Sequence, residues 1–186
     1  IEDNFKVKTS LRSFNTKKQV ISSTKKLKDI VYDFAITDLE TDGYRNNSEF
    51  DQSSLNFNLT KFKDINSRLF AELKHTDEQT RLPGSILLTD FYTTPKKTRF
   101  PEDFGTEKIT SLKFGNEVKF INKNKFSSNI RLEKKDQYSS LLSSGIRYKS
   151  DTSLNTVHIN SKYMNNRLLN NQDIKSKVGI DIYNSY

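Results

Sequence analysis

Cysteine and tryptophan are absent from this 186-residue chain, which holds one methionine, three prolines, six glycines and two histidines. Without cysteine there is no disulfide framework, no thiolate metal site and no thiol nucleophile. No run approaches 18 apolar residues, which excludes a transmembrane helix, and no charged-then-apolar leader is recognisable. Membrane-crossing strands are not excluded, because alternating segments give a weak hydropathy signal. Hydrophobic residues make up 33% of the chain, against about 45–50% in ordinary domains, so their placement carries the information. The chain opens at Ile1 rather than at methionine; a processed chain or a piece of a longer one is expected.

Thirty-one lysines and arginines against 23 acidic residues leave a net charge of +8. Basic chains often meet nucleic acid or anionic lipid. Here the cations are dispersed and interleaved with acids, so charge alone names no partner. Recognition of single-stranded nucleic acid wants aromatics interleaved with cations on one exposed face. Phe57, Phe114 and Phe120 instead share the apolar face, and no nucleic-acid partner is expected.

What the chain does have is alternation. Ile30, Tyr32, Phe34 and Ile36 fall on one face of an extended segment, opposite Val31, Asp33, Ala35 and Thr37. The pattern returns at Leu55, Phe57 and Leu59; at Leu69, Ala71 and Leu73; at Leu112, Phe114, Val118 and Phe120; and at Ile130 and Leu132. Later copies are Leu142, Ile146 and Tyr148; Val157, Ile159 and Tyr163; and Val178, Ile180 and Ile182. A period of two marks half-buried strands. Phe5, Val7, Thr9 and Leu11 read as a weaker opening strand, and residues 19–24 as a second. The fold class is all-β: an antiparallel up-and-down meander of about ten strands, sequence neighbours pairing by default.

The opposite faces carry Arg68, Glu72, Lys74, Lys113, Glu117, Lys119, Arg131, Glu133, Arg147, Lys149 and Lys162. In a soluble sandwich such a face meets solvent; in a membrane barrel it lines a wet lumen and the apolar face meets lipid. Single strands do not separate the two, but connections do. Short turns are expected at residues 25–28, 63–66, 122–125 and 150–153, with longer links at 40–49, 76–106 and 165–173. Further short links at 15–16 and 136–139 make the pattern imperfect. Short turns on one rim and long loops on the other characterise outer-membrane barrels. On that reading the loop 76–106 is extracellular, and residues 1–186 form a single β-barrel segment.

Three stretches carry a family resemblance. Asp42-Gly43-Tyr44-Arg45-Asn46-Asn47-Ser48-Glu49-Phe50 resembles the "DGYRDNS" stretch that follows an early barrel strand in TonB-dependent outer-membrane receptors. Leu82-Pro83-Gly84 resembles the "LPG" of the same receptors, in a loop that ends Asp103-Phe104-Gly105-Thr106. Leu11-Arg12-Ser13-Phe14-Asn15-Thr16 is similar to their "GSFGT" link, with Arg12 and Asn15 where glycine is usual. Order and spacing match over most of the chain, best between Phe5 and Phe120.

Such receptors have 22 strands around an N-terminal plug, so the resemblance implies a fragment holding the first ten or so strands, part of a transmembrane-type barrel or closing into a smaller one. It implies a non-enzymatic receptor and transporter in the Gram-negative outer membrane. Its solute would be an iron chelate such as a ferric siderophore, or a similar bulky molecule. Its other partners would be outer-membrane lipid and, through the missing plug, the TonB complex. Ligand contacts are implied at Tyr44 and Arg45 in the first loop and at Arg81, Tyr92, Arg99 and Phe100 in the long one. Arginine suits anionic chelates through charge-assisted hydrogen bonds, and aromatic faces suit catechol rings. Gly43 and Pro83-Gly84 read as turn-formers. The inward charges Arg68, Glu72, Arg131, Glu133 and Arg147 read as cross-strand pairs rather than solute contacts.

Catalysis finds little support. His75 and His158 lie on separate strands without metal-ligand spacing and read as polar-face residues. There is no Gly-x-Ser-x-Gly elbow, P-loop or dinucleotide fingerprint. No fixed geometry makes the acids at 38, 40 and 42, or at 77 and 78, a Ca²⁺ site, so no metal or cofactor is expected. The competing readings are a self-contained small β-barrel and a soluble all-β module for anionic ligands. Asn116, Ser144 and Ser161 interrupt the apolar face and weaken the membrane case.

Overall fold

The computed structural model describes residues 3–120, 124–169 and 172–186. Its strands are β1 (Asn4–Arg12), β2 (Thr16–Leu27), β3 (Ile30–Thr41), β4 (Phe50–Asp64), β5 (Ser67–Arg81), β6 (Phe104–Lys119), β7 (Lys125–Ser143), β8 (Ile146–Leu169) and β9 (Gln172–Ser185), with one short helix, α1 (Leu88–Thr93). They form one antiparallel sheet in sequence order, β1 to β9. Among the described residues that is nine strands, in keeping with the expected meander of about ten, and the sheet is open: β1 and β9 are its edges.

Two of the expected links are strand instead. Residues 136–139 and 150–153, read as links, lie inside β7 and β8. The chain reverses instead at Ser144-Gly145, where both residues take left-handed backbone angles (φ 50° and 80°). Two such residues form the tight turn whose twist matches the strands it joins. Ser144 therefore belongs to a turn and does not interrupt the apolar face. Likewise β5 runs on to Arg81 and β6 begins at Phe104, so the long loop is residues 82–103. The expected long link at 165–173 is largely strand, with 170–171 outside the described residues. Part of the expected turn at 122–125 also lies outside them.

Register gathers the alternating residues into rows. Phe34, Phe57, Leu73, Leu112, Leu132 and Val157 are successive partners across six strands. One step nearer the short turns run Tyr32, Leu59, Ala71, Phe114, Ile130, Ile159 and Ile182. On the other face Asp33, Asn58, Glu72, Lys113, Arg131 and His158 form the matching polar row. Asn116, Ser128 and Ser161 are partners in a single row, so the polar interruption of the apolar face is one line.

Exposure shows which face is crowded. Phe114 is 50% exposed and Leu132 43%, whereas the side chains of Lys113 and Glu117 are 21% and 12% exposed. A one-layer sheet crowds side chains on one face only if it curves, so the polar face is concave and the apolar face convex. Among the described residues Val31 is the sole buried hydrophobic. A soluble sandwich buries its apolar face in a shared core; this sheet turns that face outward.

The apolar band has an upper limit. From Phe126 to Leu132 along β7 it spans about 20 Å, approaching the ~25 Å apolar height of outer-membrane barrels. Beyond it the convex face turns polar, through His75, Thr110, Lys134 and Asn155 and then Asp77, Lys108, Asp136 and Ser153. Lys108 pairs with Asp77 at 2.9 Å and Lys134 with Asp136 at 3.0 Å. At the lower rim Phe120 packs edge-on to Tyr163, whose hydroxyl accepts from Asn124 Nδ2 at 2.8 Å. An aromatic girdle with polar handles suits an apolar–aqueous boundary.

Candidate functional site

At the end that also carries the tight turns at 13–15 and 144–145, residues 42–49 and 82–103 fold together. Gly43 and Gly84 both sit at left-handed angles (φ 71° and 70°), as turn-formers require. A Cβ on Gly84 would lie 2.3 Å from the Phe100 ring, and one on Gly43 equally close to the Ser48 carbonyl oxygen. Asn15, standing where the receptor link has glycine, adopts φ 53°. Asparagine tolerates that region, so the link keeps its turn conformation.

The six sequence-derived residues fall into four settings. Arg45 is a staple: it donates through Nη1 to Gly84 O at 2.6 Å and through Nε and Nη2 to Lys97 O at 3.2 and 2.8 Å. With Arg99 it lines a cleft of about 180 Å³ against Asp90, Lys97 and Thr98. Arg99 lies over the Phe100 ring at 5.4 Å; Phe100 itself packs on Gly84. Tyr44 meets Phe14 edge-on at 5.6 Å, with Lys96 Nζ 6.0 Å from its ring. Tyr92, on α1, is 77% exposed. Arg81 stands apart at the top of β5, over Phe104 at 5.3 Å, in a cleft shared with Arg147 and Lys149.

Two residues that organise this end were not singled out by sequence reasoning. Asn47 Nδ2 donates to the carbonyls of Phe100, Asp103 and Leu82 at 2.7, 3.0 and 3.1 Å, tying the short loop to both ends of the long one. Asp103 accepts from Leu142 N at 2.9 Å and pairs with Arg147 at 3.2 Å. The signal was weak: Asn47 and Asp103 sit within the receptor-like stretches, but nothing in one sequence shows what they hold.

Of the expected charge pairs on the concave face, Glu72 pairs with Lys113 and Arg68 with Glu117, each at 3.2 Å. Lys125 joins Glu117 at 2.6 Å. Arg147 is not part of that lining; it shares the convex side with Ser140 and pairs with Glu102 and Asp103. His158 lies on the concave polar row beside Asp181. His75 lies on the convex side rather than on the concave polar face, at the level where the convex side has itself turned polar, its Nδ1 2.9 Å from Thr110 Oγ1. Among the described residues no cluster of three metal-ligating groups occurs.

No family model and no curated protein matches the sequence. Solved structures do. The ferric citrate transporter FecA, unliganded, superposes with a TM-score of 0.84 at 14% identity over 93% of this chain and 27% of its own. FpvAI, from its complex with pyocin S2, gives 0.82 at 8% identity, over 99% and 28%. The ferric-catecholate import receptor Fiu of E. coli K12, in an open form, gives 0.81 at 9%, over 99% and 34%. All three are TonB-dependent receptors, and this chain spans about a third of their length or less. Its fold is that of a nine-stranded segment of a TonB-dependent receptor barrel.

Proposed function

We propose that this chain is part of the barrel of an outer-membrane receptor that imports a bulky solute such as a ferric siderophore, energised by TonB through a plug in the full-length protein. The observation that carries the reading is the inversion of the sheet: an apolar convex band for lipid, and a concave wall of paired charges for a wet lumen. Neighbours of the same fold that act on ferric citrate and ferric catecholate support an iron chelate as the solute. The loops of residues 42–49 and 82–103 face the cell exterior on this reading. Arg99, Tyr44 and Tyr92 contact the solute there, with Arg45 and Phe100 holding the loop in shape, whereas Arg81 shares the convex side with Phe104 and Arg147 and is not among the contacts. Loops on a rigid scaffold are the usual carriers of binding.

The test begins with the reading frame around this chain. A plug upstream and about a dozen further strands downstream are expected, and stop codons close to both ends would contradict the receptor. In cells expressing the whole frame, uptake of a radiolabelled ferric siderophore is expected to stop when the proton gradient is collapsed. Uptake that persists without the gradient would contradict TonB energisation.

A further inference from the structure

Two glycines of β6 differ in what fills the space beside them. A Cβ on Gly115 would lie 2.5 Å from Phe70 Cζ, so Phe70 occupies the room that glycine leaves. A Cβ on Gly105 would meet nothing nearer than Tyr138 O at 3.8 Å. Gly105 has no left-handed backbone angle to explain it, and glycine inside a strand weakens it. Such a glycine often marks a place where something else approaches the backbone.

The empty space opens on the concave face into a cleft of about 290 Å³, room for about ten waters or one ring-sized ligand. It is lined by Glu78, Thr80, Thr106, Glu107, Gln137, Tyr138 and Ser139, with Ser150 and Thr152 of β8 beside them. Glu78 and Glu107 are direct register partners. Like charges placed opposite each other are destabilising, and neighbours hold them. Glu78 accepts from Gln52 Nε2 at 3.1 Å and Thr80 Oγ1 at 3.5 Å. Glu107 accepts from Gln137 Nε2 at 2.5 Å and pairs with Lys135 at 2.8 Å. A carboxylate has about four acceptor sites, so both keep capacity for a ligand. No arginine or lysine lines the cleft. Hydroxyls and carboxamides both donate and accept.

We propose that this cleft is a subsite for an uncharged, hydroxyl-rich group, a sugar or comparable polyol, on the solute the barrel admits. The inference rests on the receptor reading for its place in transport. It narrows the solute: the wall below the long loop takes a neutral polyol portion, while the loop arginines serve the charged portion.

The chain in detergent micelles is titrated with maltose, citrate or spermidine, and backbone amide signals are followed by NMR. Maltose is expected to shift the signals of Gly105 and Ser139, with citrate and spermidine leaving them in place. Gly105→Val fills the cleft with a residue that favours strands and is expected to weaken maltose binding by about tenfold or more. Glu78→Gln preserves shape, and its weaker acceptor is expected to reduce binding while thermal stability does not fall, because the repulsion from Glu107 is relieved. No response to maltose, an equal response to citrate or spermidine, or a Gly105→Val chain that binds like the parent would overturn the subsite. Insertion into lipid vesicles is measured separately. A chain that inserts but ignores maltose overturns the subsite alone; one that binds maltose but stays out of lipid overturns the receptor reading alone.

Discussion

Asp103 and Arg147 meet at 3.2 Å, and Asp103 is 3% exposed. This pair fastens the last residue of the long loop to the start of β8, while the Asp103 carboxylate also accepts from Leu142 N at 2.9 Å. Replacing Asp103 by alanine leaves the Leu142 N–H without its acceptor and Arg147 with Glu102 and Ser140. A cost of about 2 kcal/mol is expected, below the ~3–5 of a fully buried pair because Arg147 is partly solvated. Urea unfolding in micelles measures it. Trypsin cleavage at Lys96, Lys97 and Arg99 is expected to quicken in the same variant, and unchanged cleavage would show that the pair does not hold the loop.

Asn47 makes a second fastening, and its contribution is separable. Asn47→Gly keeps the left-handed backbone (φ 56°) but removes the donor to three carbonyls. A loss of about 1–2 kcal/mol is expected, with faster hydrogen exchange confined to residues 42–49 and 82–103. Exchange that rises equally throughout β5 and β6 would argue against a local role.

Phe70 depends on the missing side chain of Gly115. Gly115→Ala would put a Cβ 2.5 Å from the Phe70 ring and 2.6 Å from Ser128 O. Overpacking of this kind costs about 1–3 kcal/mol. Phe70→Ala in the same chain relieves the first clash and not the second. A double-mutant cycle should therefore give a coupling of about 0.5 kcal/mol or more; strict additivity would contradict the contact.

Both edges of the sheet present unpaired backbone groups. In lipid each unsatisfied group costs several kcal/mol, and an exposed edge recruits other strands. The isolated chain is expected to associate through β1 and β9, its apparent mass in micelles rising with protein concentration. A concentration-independent monomer with the open sheet intact would refute this.

The faces of the strands were legible in the sequence because the rows of the apolar band alternate sharply. Phe57, Leu73, Leu112 and Leu132 share a face as their spacing implied, and Arg68 and Glu72 found charged partners. Where the sheet leaves the band both faces are polar, as in residues 134–139 and 149–153, and the period vanishes. The period therefore marks neither the ends of β7 and β8 nor the Ser144-Gly145 turn. The loop fastenings were illegible for another reason: Asn47 and Asp103 are 56 residues apart, and no local pattern reports a contact at that separation.

The central claim is that the apolar convex face meets lipid and the polar concave face does not. The chain has no tryptophan, so single-tryptophan variants report cleanly. Phe114→Trp on the convex face and Phe70→Trp on the concave face are each incorporated into vesicles carrying brominated acyl chains. The account predicts blue-shifted, strongly quenched emission from position 114 and little quenching at position 70. Equal quenching at both positions, or a chain that stays out of the vesicles, would contradict it.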